Sequence, residues 1–339
     1  MLRRKSGNKK IIFILGAVVL IAALLTVLLA TFYRNKISTS ADTDSWQLGP
    51  WTKYENNPIL TSGDFEWESK NVLNPTAIVK DGKIYLLYRA QTHDMTSYIG
   101  MAVSEDGFNF VKEKEPVLFP TEDYEKAGVE DPRIVEIDGT YYMTYTGWIR
   151  TTNYLCLATS KDLYNWEKKG KMLPDWPTAT KSGAIVPQKI NGKYHMYFGD
   201  TNMYYATSED LINWTPRTEP VMEFRYMKKE NGERYFDSML VEPGPTPIIT
   251  PGGILLIYNG ADTWKRYSTG EVLFSLEDPS IVLERTEFPV LEVDHELEKT
   301  GQVNNVVFSE GLVKFKGKWF LYYGMGDSRI GVATCDAKD

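Results

Sequence analysis

Residues Gly128–Trp148 read GVEDPRIVEIDGTYYMTYTGW. Alternating apolar residues flank an Asp138-Gly139 turn, the pattern of a β-hairpin. Its first strand nevertheless opens on Glu130, Asp131 and Arg133, charges that are costly to bury without partners. The same unit recurs four more times along the chain, as NPTAIVKDGKIYLLYRA from Asn74, AIVPQKINGKYHMYFGD from Ala184, GPTPIITPGGILLIYNG from Gly244 and SEGLVKFKGKWFLYYGM from Ser309. Each copy is a strand, a tight Gly-containing turn and an aromatic strand, so the fold is read from the repeat and not from any single hairpin.

Two more strands follow the hairpin in the first three units (YIGMAVSEDGFNFVKEKEPVL, YLCLATSKDLYNWEKKGKML and MYYATSEDLINWTPRTEPVM) and, in variant form, in the fourth (GEVLFSLEDPSIVLERTEFPVL). The fifth unit stops at RIGVATCD, one strand short. The missing strand is expected at the other end of the domain, in WTKYENNPIL, Trp51–Leu60. Pairing the two ends closes a ring and removes two exposed sheet edges. The expected fold class is therefore all-β, a five-bladed β-propeller over residues 46–339. In such a blade the start of the first strand and the end of the second open at one mouth of a central funnel. Turn alignment places there Asn74, Asp131, Arg133, Lys181, Glu242 and Glu310 from first strands, and Arg89, Trp148, Asp200, Asn259, Asp262 and Asp327 from second strands.

Ahead of the domain, residues 11–33 (IIFILGAVVLIAALLTVLLATFY) carry no charge, a length that suits a transmembrane helix. Basic residues are denser before this run than after it, which predicts a cytoplasmic segment 1–10, a membrane anchor 11–33, a polar linker 34–45 and a propeller outside the cell membrane. The net charge of -7 and the lack of a basic cluster in the propeller argue against a nucleic-acid partner. Cys156 and Cys335, the only cysteines, sit in separate apolar strands and read as buried thiols. No metal site or cofactor is expected, and the sequence does not specify an oligomeric state.

The funnel set combines carboxylates, cations and aromatic residues, with no Ser or Cys nucleophile triad and no glycine-rich phosphate loop. Carboxylates on either side of a polyol are what glycosidic bond cleavage requires: one acid for the leaving oxygen, one base or nucleophile opposite. The segments NPIL from Asn57, NPTAIVKDGKIYLLYRA, GVEDPRIVEIDGTYYMTYT, GPTPIITPGGILLIYNG and GQVNNVVFSEGLVKFKGKWFLYYGMGD together resemble glycoside hydrolase family 130, the β-mannoside phosphorylases and mannosidases of five-bladed propeller fold. The resemblance implies Asp131 as general acid, and Asn74, Arg89 and Asp327 as groups that hold the mannose. It also exposes departures. Phosphorylases of that family carry a His-Arg pair where this chain has Phe198-Gly199, and a fourth-blade His where it has Asn259, while Lys181 is kept. Because phosphate prefers charge-assisted donors, the expectation is an inverting β-mannosidase with Glu242 or Glu310 as base. The alternatives are a phosphorylase releasing mannose 1-phosphate and a propeller that binds glycans without cleaving them. One tension stays open: Arg133, two residues from Asp131 and so on its strand face, is expected to lower the pKa of an acid that needs it raised.

Overall fold

The computed structural model describes residues 46–226 and 228–337. β1 (Thr52–Lys53) precedes the first blade, which is built from β2 (Asn71–Lys80), β3 (Lys83–Gln91), β4 (Ser97–Ser104) and β5 (Val111–Lys112). The second is β6 (Gly128–Ile137), β7 (Thr140–Trp148), β8 (Asn153–Ser160) and β9 (Trp166–Lys171). The third is β10 (Ala184–Ile185), β11 (Tyr194–Phe198), β12 (Tyr204–Ser208) and β13 (Trp214–Pro216). The fourth is β14 (Leu240–Pro243) with β15 (Ile248–Thr250), β16 (Gly253–Ala261), β17 (Tyr267–Phe274) and β18 (Val282–Arg285). The fifth is β19 (Val307–Phe315), β20 (Lys318–Met325) and β21 (Arg329–Asp336). Within each blade the strands pair antiparallel in chain order. The innermost strands of blades three and four are shorter or more broken than the repeat predicts. Pro187 in one, and Pro245 with Pro247 in the other, lack the N–H that a ladder needs.

Closure is visible at the ends. Thr52 and Lys53 of β1 pair antiparallel with Thr334 and Ala333 of β21, and Leu60 bridges Ile330. The core confirms the ring. Five apolar clusters join consecutive blades: one to two through Leu87, Ile99 and Met143, two to three through Leu155, Leu157 and Met196, three to four through Tyr197, Val241 and Phe274. Ile257, Val307 and Leu321 link four to five, and Leu86, Phe320 and Ile330 link five back to one.

A second repeated device ties four of the blades. Tyr88, Tyr145, Tyr258 and Tyr323, at matched positions on second strands, donate to the buried carboxylates of Glu68, Glu125, Asp237 and Glu298. Each carboxylate also pairs with a cation from the outermost strand of its own blade: Lys112, Lys168, Arg285 and Lys53 respectively. In blade three the matched residue is Phe198, which packs edge-on against Trp176 at 5.1 Å. An apolar contact there replaces the ionic clamp.

The fold class requires one correction. The only α-helix among the described residues is α1 (Glu296–Lys299), and no helix there is long and apolar enough to cross a membrane. The expected transmembrane helix, residues 11–33, lies outside the described residues, as do segments 1–10 and 34–45. The described residues form the all-β propeller.

Candidate active site

Three blades set a polar side chain at the funnel end of the first strand by the same backbone defect. Asn74 in β2, Asp131 in β6 and Glu310 in β19 each fall where the register slips against the second strand. Such a bulge leaves a residue out of the ladder and redirects its side chain. Pro75 and Pro132 follow two of the three positions and could not have donated to the ladder in any case. Asn74 and Asp131 hold φ of 48° and 50°, left-handed values that Asn and Asp tolerate better than other side chains. The charges at the start of the Gly128 strand thus include a residue at a strained position that a packed core would not need.

Arg89, from the end of β3, organises the first half of the site. Its Nη1 donates to Asp131 Oδ1 at 3.0 Å, its Nη2 to Glu130 Oε1 at 2.6 Å and its Nε to Ser97 Oγ at 3.1 Å. Lys181 organises the other half: its Nζ lies 3.1 Å from Glu242, 3.9 Å from Asp200 and 4.0 Å from Asp131. Beneath them Arg133 is sealed from solvent. It donates to the carbonyls of Gly244, Pro243 and Asp131, and its Nη2 sits 2.6 Å from Glu310. The expected tension is resolved in part, because Arg133 is matched with Glu310 and not with the Asp131 carboxylate.

The carboxylates are not equivalent. Burial raises Asp131, but Arg89, Lys181 and Arg133 outweigh it and hold the group below its usual range. Burial raises Glu242 against the pull of Lys181 and Arg133. It likewise raises Glu310 against Arg133, and it pushes Asp327 up to about 6 although Arg89 draws it down. Glu130 is also raised by burial, with Arg89 opposing. Six carboxylates (Glu130, Asp131, Asp200, Glu242, Glu310 and Asp327) thus surround three cations. The site can therefore hold protons as well as charge.

Other predicted residues fall elsewhere. Asn259 is fully buried and spent on the backbone of Ser309, accepting from its N–H at 2.7 Å and donating to its carbonyl at 2.9 Å. It cannot also hold a sugar, so that expectation is corrected. Asp262 lies on the rim, where it accepts from the amides of Trp264 and Arg266. Trp148, half-buried at the end of β7, carries the Arg150 guanidinium over its ring at 5.7 Å. At the replaced His-Arg pair, Phe198 faces Trp176 between blades and Gly199 matches the position of Arg89, as Asn259 does in blade four. A Cβ built on Gly199 would lie 2.6 Å from the carbonyl oxygen of Asn202, so no Arg fits there without a backbone shift. Sequence reasoning missed Glu130 as the second partner of Arg89, although it sits beside Asp131, and Ser182, whose hydroxyl donates to Glu242. Among the described residues no cluster of metal-ligating side chains is present.

Paired carboxylates, a cation between them and aromatic residues at the rim define a glycoside-acting enzyme. The model of glycoside hydrolase family 130, described as β-1,4-mannooligosaccharide phosphorylase, matches residues 51–339, and the chain belongs to that family. It is similar to a 1,2-β-oligomannan phosphorylase of Thermoanaerobacter sp. (strain X514), 38% identical over 85% of this chain and 97% of the relative. A β-1,2-mannobiose phosphorylase of the same organism is 36% identical over 84% of this chain and 97% of its own length. Among solved structures, one is 35% identical with a TM-score of 0.81, covering 88% of this chain and 97% of that one. It is described under the statement that this family of mannoside phosphorylases contains glycoside hydrolases that target β-1,2 mannosidic linkages in Candida mannan.

Proposed function

We propose that this chain cleaves β-mannosides with inversion, Asp131 serving the leaving oxygen and Glu242 the attacking acceptor. The observation that carries the reading is the position of Lys181 between the two carboxylates, 4.0 Å from one and 3.1 Å from the other. Their oxygens are therefore at most about 7 Å apart, a bound that places both carboxyls on one substrate but fits the retaining spacing as well as the short end of the inverting one, so inversion is taken from the family resemblance and not from this distance. Glu242 is taken as the base before Glu310 because it meets Lys181, whose side chain is partly open to the funnel, whereas Glu310 lies against the sealed Arg133. A sugar seated against Asp131 would exclude water and separate the carboxyl from Lys181, and both changes raise its pKa toward that of a working acid.

For the acceptor, the family description and the curated relatives support phosphate better than water. Phosphorolysis is accordingly kept as a full second reading. Geometry favours water: the Arg position is closed at Gly199, Asn259 is spent, and Lys181 is enclosed by Glu242, Asp200 and Asp131. We therefore take hydrolysis as the first reading. The relatives' β-1,2 linkages make β-1,2-mannobiose the first substrate to test. The test is product analysis with and without phosphate.

A further inference from the structure

Between β16 and β17 the chain turns sharply through Asp262–Arg266. Asp262, only 4% exposed, accepts from the N–H groups of Trp264 at 2.8 Å and Arg266 at 3.1 Å, and from Arg266 Nε at 2.7 Å. These bonds fix a loop that leaves Trp264 68% exposed, with the Arg266 guanidinium 4.9 Å from its ring centre. Across from it, Tyr235 and Phe236 form a second wall, Tyr235 bearing the Arg225 guanidinium at 4.0 Å. That wall is anchored by the next residue, Asp237, which is fully buried and paired with Arg225 and Arg285. The two walls and Lys229 enclose a cavity of about 210 Å³.

A tryptophan left in water by a loop that a buried carboxylate holds in place is not explained by packing. A concave site with aromatic walls and a few convergent polar groups is built to bind a ligand. Its place narrows the ligand. Asp262 follows Asn259 by three residues along the chain, about 10 Å at strand spacing, and Asn259 pairs in register with Glu242. Tyr267, which closes the turn by pairing with Ala261, lies in the electrostatic field of Glu242 and Lys181. The cavity therefore borders the funnel on the side of the proposed base.

We infer that this cavity is a distal sugar subsite, in which Trp264 stacks against one saccharide unit of a longer β-mannoside and Arg266 and Lys229 donate to its hydroxyls. The inference rests on the β-mannoside reading and adds a preference for chains longer than a disaccharide. The test compares kcat/KM on β-1,2-mannotetraose and β-1,2-mannobiose for the full chain and for Trp264→Ala and Trp264→Phe. The tetraose-to-biose ratio should fall about tenfold in Trp264→Ala and recover in Trp264→Phe, the scale of one lost aromatic contact. An unchanged ratio would overturn the subsite. Calorimetric titration of mannotetraose into Asp131→Asn, with and without Trp264→Ala, separates this inference from the function on which it rests. Tighter binding with Trp264 present supports the subsite even if the wild type cleaves no mannoside. Binding indifferent to Trp264 sinks the subsite while leaving cleavage intact.

Discussion

The guanidinium of Arg133 lies 2.6 Å from Glu310 and meets Asp131, two residues before it, only at the backbone carbonyl. This pairing separates two glutamates that the sequence could not rank. Glu310 lies fully buried against Arg133, whereas Glu242, 3.9 Å from the same guanidinium, also meets Lys181, whose side chain is partly open to the funnel.

Glu242→Gln should therefore fold normally and lose about 10²–10⁴ in kcat, the usual range for a removed acid or base. Glu310→Gln should instead keep most of its turnover, because Glu310 lies against Arg133 and not beside Lys181. Urea melts and steady-state rates on both variants check the division. Equal losses in kcat would contradict it.

Asp131→Asn should likewise keep its melting transition and lose about 10²–10⁴ in turnover on an unactivated mannoside. Near-normal turnover would remove Asp131 from the acid role.

Removing the cation between the carboxyls has a calculable sign. Lys181 lowers the pKa of both Asp131 and Glu242, so Lys181→Met should move both limbs of the kcat/KM pH profile to higher pH. A fixed profile with lower amplitude would mean that Lys181 only positions the sugar.

How far the sequence was legible follows from the range of the interactions. The five blades could be read because each carries its own turn and aromatic strand, and the place of Asp131 on an inner strand because its charge interrupts an apolar pattern. The partner of Arg133 could not be read: Glu310 comes from another blade, and only the closed ring brings the two together. Phe198 and Asn259 were misjudged for a related reason. Alignment marks a changed residue but not whether its side chain faces the funnel, the next blade or, as with Asn259, the backbone of Ser309.

Glu271, fully buried in blade four, accepts from the Leu48 amide at 3.1 Å, and burial pushes it up to about 8. A carboxyl raised in the folded state favours folding below its unfolded pKa of about 4.3, and this contribution is lost as pH rises toward 8. Glu271→Gln should thus gain stability relative to wild type between pH 6 and about 8, read as a narrowing or reversal of any Tm deficit across that window. A Tm difference independent of pH would contradict the assignment.

The acceptor is decided most directly by the first product. The full chain should be incubated with β-1,2-mannobiose, with and without millimolar phosphate, and the products followed by NMR from the first turnovers. Hydrolysis between Asp131 and Glu242 predicts free mannose appearing first as the α-anomer, at a rate unaffected by phosphate. Mannose 1-phosphate as the main product, formed only when phosphate is present, would contradict it and establish phosphorolysis.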